Sequence, residues 1–326
     1  MELDRLVIPV SDYDLDATLD SGQAFRWRRI GPAWEGVIHG RWVRLFAVGS
    51  QIIAEFLDET QCIGLSGEGA NKDLPSAIPV LRSLGEGGCI PHAALLHYLQ
   101  TDINLPTILA TFPTDEPMQA AVRACPGLRL LRQDPWECLA SFVCSSNKRI
   151  VQIKQIIRLL CERFGEPIPI PAACEPCFAF PTYQRLAEAT DAELRACKMG
   201  FRAPHLLAIA RRLAAGEFDL QRVAERPLVE ARELLMELPG VGPKIADCVL
   251  LFAYGFPTAF PMDTWILKTL HRLYFPRRKP SLKRLRRFSE THFGPHSGYA
   301  QQYLFHSARN ESRSRREETH RQALSP

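Results

Sequence analysis

Residues 238–248, Leu-Pro-Gly-Val-Gly-Pro-Lys-Ile-Ala-Asp-Cys, restrict the local backbone more than any other stretch of this chain. Gly240 and Gly242 bracket one valine between two segments of helical pattern, the spacing of a tight hairpin that presents bare N–H groups to a phosphate. Pro243 suits the first position of the second helix, where an N–H has no intrahelical partner to lose. Lys244 then falls in the first turn, where the positive end of the helix macrodipole opposes protonation of its amine. Attack on carbon requires a neutral amine, so a nucleophilic lysine fits this place. Asp263 follows in Gly-Phe-Pro-Thr-Ala-Phe-Pro-Met-Asp, at the head of another helical pattern. Each part alone has a plainer reading: a hairpin that only grips DNA, a lysine that only meets phosphate, an aspartate that only caps helix 264–274. Their joint occurrence favours chemistry on DNA.

The chain has 326 residues, long enough for two or three domains, and its 46% apolar and 23% charged residues are those of an ordinary globular protein. No apolar run approaches a membrane span, and the start, Met-Glu-Leu-Asp-Arg, lacks the charged-then-apolar pattern of a secretion signal. An intracellular location is therefore expected, with ten cysteines kept as thiols. Cys174-Glu-Pro-Cys177 has no second pair to complete a zinc site and reads as loop. Net charge is only +4, yet Arg272, Arg277, Arg278, Lys279, Lys283, Arg284, Arg286 and Arg287 lie in sequence with no acid among them. Such a run neutralises backbone phosphates; the plainer alternative is a solvated helix face.

The pattern divides the chain into an α+β module over 1–112, a helical region over 113–310 and a basic, disordered tail over 311–326. Strand-like segments are 24–27, 34–38, 42–46 and 51–54, and 64–79 reads as loop. Helices are expected at 93–100, 102–110, 134–144, 148–164, 191–198, 204–215, 229–237, 243–254, 264–274, 281–292 and 298–309. Asp134-Pro-Trp-Glu137 is the strongest start among them, with cap, first-position proline and a glutamate three residues on.

The stretch 238–275 resembles the helix-hairpin-helix glycosylase superfamily, and Lys244 marks its bifunctional branch, which removes a base and then nicks the strand. Over about residues 3–308 the chain is similar to the three-domain 8-oxoguanine DNA glycosylases. That resemblance implies an N-terminal antiparallel sheet module of TBP-like type followed by two mostly helical domains. It implies Lys244 and Asp263 as catalytic residues and duplex DNA containing 8-oxoguanine as partner, bound by a monomer. The lesion pocket falls on Gly22, Cys248, Gln301 and Phe305, with the Gly22 carbonyl accepting the N7 hydrogen that guanine lacks. DNA contacts fall on Asn147, which fills the gap left by an extruded nucleotide, on the wedge Phe201, on the cytosine reader Arg202, and on the hairpin's Gly240 and Gly242.

The iron–sulfur members carry four cysteines after the aspartate helix; no cysteine follows Cys248 here, so no such cluster is expected. No cofactor is implied beyond a cation at the hairpin, for which the sequence supplies no dedicated ligands. Two departures stand out. By the same resemblance, a second cytosine-reading arginine is replaced by Gln152, and the histidine two residues after Asp263 by Trp265, with its acidic partner falling near Ala308. The competing expectations are a monofunctional alkylated-base glycosylase, which lacks the lysine, and a non-catalytic hairpin DNA-binding protein.

Overall fold

The computed structural model describes residues 3–57, 92–277 and 279–324. Strands β1 (Leu3–Pro9), β2 (Arg28–Ile30), β3 (Ala33–Ile38), β4 (Arg41–Val48) and β5 (Gln51–Leu57) form an antiparallel sheet in the order β1-β5-β4-β3-β2. Helix α1 (Leu15–Asp20) and helix α2 (His92–Leu99) cover it, the first capped by Asp14, whose carboxylate accepts from the Ala17 N–H at 2.8 Å. The strand expected at 24–27 is not one. Phe25 packs in the helical core and Trp27 in the sheet core, so the alternation records two cores on either side of one irregular segment. Trp27 occupies the space that a side chain at Gly36 in β3 would fill, and its indole N–H donates to the Tyr98 hydroxyl at 3.0 Å. Strand β1 was not legible, because its edge position leaves most of its residues exposed without an apolar alternation. The loop expected at 64–79 lies outside the described residues.

Helices follow almost without interruption: α3 (Leu105–Leu109), α4 (Glu116–Ala124), α5 (Pro135–Cys144), α6 (Ile150–Phe164), α7 (Tyr183–Ala187), α8 (Asp191–Ala196), α9 (Ala203–Ala214), α10 (Gln221–Ala224), α11 (Leu228–Met236), α12 (Pro243–Val249), α13 (Thr264–Tyr274), α14 (Leu282–His292) and α15 (Ser297–Leu324). Helix α5 starts where Asp134-Pro-Trp-Glu predicts it, with the Asp134 carboxylate accepting from the Glu137 N–H at 2.8 Å. Helix α12 ends at Val249, and Leu250–Tyr254 continue as a π-helical turn closed by left-handed Gly255. The largest difference is at the C-terminus. Expected to fray after residue 309, the chain stays helical to Leu324. Residues 299–324 contain neither glycine nor proline, and Arg272–Glu311 (2.8 Å) and the i,i+4 pair Arg315–Glu311 (3.6 Å) support the extension.

Segment 125–134 joins the two cores. Leu128 and Leu130 enter the helical core and Leu131 the sheet core, while the Arg129 guanidinium donates to the Asp12 carbonyl at 2.7 Å. Both cores are thus fixed against one strap of chain, beside which the functional residues converge.

Candidate active site

The α11–α12 hairpin is held from inside by Leu238 and Val241, both buried, and closed by the Val241 N–H donating to the Leu238 carbonyl at 3.1 Å. Gly240 is required twice over. Its φ of +76° is left-handed, and a Cβ there would strike the ring of His205 on α9. Gly242 instead has open space around it and an extended backbone, leaving the start of α12 uncovered where Pro243 begins the helix. Lys244, one residue on, is half-buried. Its Nζ donates to Ser145 Oγ at 3.1 Å and lies 5.0 Å from the centre of the Phe142 ring. Both partners belong to the end of α5; Ser145 is its C-cap and is oriented by donating to the Phe142 carbonyl at 2.6 Å. The amine is thus held by tertiary contacts, and Ser145 as its partner was not foreseen from sequence.

Asp263 caps α13, accepting from the Ile266 N–H at 2.8 Å. Lys244 is close enough to pull its carboxyl down electrostatically. Burial outweighs that pull and the capping bond together, so the Asp263 carboxyl sits above its ordinary value. Cys248, one helical turn after Lys244, is buried, and burial pushes its thiol up to about 12 against the nearby lysine. It meets the amine as a neutral thiol.

A second group assembles beside the first. Gly22 has a left-handed φ of +79°, and a Cβ there would lie 2.7 Å from Ile150 Cδ1 and 3.5 Å from Phe305 Cε1. Gln301 shares a face of α15 with Phe305; it is buried, and its side-chain carbonyl oxygen has no partner. A buried amide oxygen left unpaired costs about 1–3 kcal/mol, which a hydrogen-bonding ligand would recover. Phe25 connects the groups: it meets Phe142 edge-on at 5.5 Å, and Lys244 lies over that same Phe142 ring. A nucleophilic amine, a buried carboxyl and a buried, unpaired amide oxygen on the helix face that carries Phe305 suit removal of a planar base from a sugar.

Known proteins resemble this chain over most of its length. A family model described as the 8-oxoguanine DNA glycosylase N-terminal domain matches residues 5–139, and one described as HhH-GPD superfamily base excision DNA repair protein matches residues 140–295. A probable N-glycosylase/DNA lyase of Methanothermobacter thermautotrophicus is 30% identical over 93% of this chain and 95% of its own length. The chain belongs to the 8-oxoguanine DNA glycosylase family. The N-glycosylase/DNA lyase of Saccharomyces cerevisiae is 29% identical, covering 86% of this chain and 74% of the yeast protein. The fold superposes on the apo crystal structure of Clostridium acetobutylicum 8-oxoguanine glycosylase/lyase with a TM-score of 0.77 at 30% identity, over 93% and 96% of the two chains.

Seen as an 8-oxoguanine DNA glycosylase family member, the outer residues sort themselves. Asn147 is exposed in the turn after α5, at a left-handed φ of +54° that asparagine tolerates. Phe201 projects outward with 55% of its surface exposed. Arg202 does not project with it. It is 3% exposed, with its guanidinium 4.2 Å from the Phe201 ring, one nitrogen donating to the Met199 carbonyl at 3.1 Å and Nε unpaired. The expected forked donor is therefore folded beneath the wedge. Gln152 is occupied in capping α6, accepting from the Arg149 N–H at 3.0 Å. Trp265 is exposed and has no ring partner among the described residues. Helices α13 and α15, which carry Trp265 and Ala308, are tied by Arg272–Glu311.

Proposed function

We infer that this protein is a bifunctional DNA glycosylase and lyase that removes 8-oxoguanine from duplex DNA in base excision repair. The observation that carries this reading is the placement of Lys244 Nζ between Ser145 Oγ and the Phe142 ring, within electrostatic reach of the buried Asp263 carboxyl. The extruded base lies against Phe305, and the bond from C1′ to the base breaks with its electron pair going to the base. Ionised Asp263 stabilises the positive charge that develops on the sugar. Nζ bonds to C1′, the sugar ring opens to an imine, the 2′ proton leaves, and the 3′ C–O bond breaks with its electrons going to the phosphate. Amine and carboxyl both come from the chain, so the steps call on no cofactor. The work is intracellular, on DNA.

Borohydride reduction tests the reading directly. Wild-type protein on a duplex containing 8-oxoguanine should give a covalent adduct, and Lys244→Gln should give none while keeping its affinity for the duplex within a few-fold. Wild-type protein that excises the base yet never traps would remove the lysine from the mechanism.

A further inference from the structure

Residues 20–23 offer four successive carbonyl oxygens, and side chains from distant parts of the chain hold three of them. Arg309 Nη1 donates to the Asp20 carbonyl, Gln302 Nε2 to that of Ser21 at 3.1 Å, and Gln133 Nε2 to that of Gln23 at 2.7 Å. The Gly22 carbonyl accepts from no protein group among the described residues. The grip is redundant. Arg309 also approaches the Asp20 carboxylate at 3.4 Å, and fully buried Gln23 donates to the carbonyls of Thr18 and Arg129 and accepts from the Leu131 N–H at 2.8 Å. Gln302 and Gln133 are themselves buried, so a shift of this segment would strand their donors without water to replace the bond. Gly22 meanwhile lies against Ile150 and Phe305, which come within 2.7 and 3.5 Å of where a side chain on it would begin.

We propose that Gln302, Arg309 and Gln133 are positioning residues that fix the Gly22 carbonyl as the one carbonyl of segment 20–23 left for a base lying against Phe305, and that they thereby set the preference for 8-oxoguanine over guanine. The proposal rests on the substrate inferred above. Oxidation at C8 turns N7 from a lone-pair acceptor into an N–H donor. A carbonyl that cannot turn gains a hydrogen bond from the lesion and opposes the N7 lone pair of guanine; a peptide free to rotate would accommodate both. Rigidity of segment 20–23 is therefore part of the selectivity. Gln302 and Arg309 supply it from α15, the helix that also carries Gln301 and Phe305.

The test compares full-length wild type with Gln302→Leu, Arg309→Met and Arg309→Lys. Each is assayed on duplexes bearing 8-oxoguanine, guanine or a preformed abasic site opposite cytosine. The affinity ratio of the 8-oxoguanine to the guanine duplex should fall about tenfold in Gln302→Leu and Arg309→Met. Excision should drop more than abasic-site nicking in both, and Arg309→Lys, which keeps a donor, should restore most of the ratio. Arg309 lies at the margin of the fold, so its variants keep the test decisive if Gln302→Leu folds poorly. An unchanged ratio in Arg309→Met, or equal losses on all three duplexes, overturns the assignment and leaves these side chains merely structural. Wild type with no preference for the 8-oxoguanine duplex overturns the inferred substrate as well, an outcome separate from the first.

Discussion

Asp263 shows how one carboxyl is set by competing surroundings. The helix start and Lys244 favour its charged form; burial opposes them and wins, so it protonates at a higher pH than an exposed aspartate. In the mechanism proposed above that charge stabilises the sugar cation, so base excision should fall off on the acid side earlier than an ordinary aspartate would dictate. A pH profile of single-turnover excision reads that limb. Asp263→Asn should slow excision about 100-fold or more and abolish the acid limb, with binding little changed. Lys244 and Asp263 were both legible in the sequence, because each sits at a helix start announced by local signals. Ser145 was not, since its role depends on α5 ending opposite α12, which no local pattern encodes. The inward fold of Arg202 was hidden for the same reason: its surroundings are set by packing.

At the scale of elements, α12 combines two tasks with opposite demands. Lys244 faces the end of α5, while Asp247 on the same helix faces α11, where Arg232 bonds its carboxylate at 2.6 Å. Burial nevertheless raises Asp247 to about 6, with Arg232 pulling the other way. Between its ordinary value and that raised one the unfolded chain has already released the proton that the fold retains. Stability should therefore fall as pH rises through this window, by up to about 3 kcal/mol. Urea denaturation at pH 4 and pH 7 should show a smaller loss in Asp247→Asn than in wild type. Boundaries of α5, α13 and α14 were legible within a residue, because caps and prolines announce them. Helix α15 was cut short because its last turns lack apolar periodicity and rely on charge pairs instead.

For the molecule as a whole, the site exists only where the sheet module and the helical region meet. Gly22 comes from the first, Lys244 and Asp263 from the second, and Gln302 reaches Ser21 across a separation of 281 residues. The charge distribution is likewise a property of the assembled surface. Lys283, Arg284 and Arg287 are exposed on α14. If they meet backbone phosphates, replacing all three by glutamine should lower the slope of log affinity against log salt by about 3, at unchanged preference for the lesion. An unchanged slope would place the DNA elsewhere.

By itself the sequence determined the α+β plan, the hairpin, the helix starts and the seats of Lys244 and Asp263 at two of them. These follow from local rules: glycine at left-handed positions, proline in first turns, short polar caps, and the period of apolar residues. Only the tertiary structure decided which serine holds the amine, which way Arg202 turns, how burial shifts Asp263, and which carbonyl of segment 20–23 is left unpaired. Those depend on solvent exclusion and on partners far away along the chain, and neither is written in any short stretch of residues.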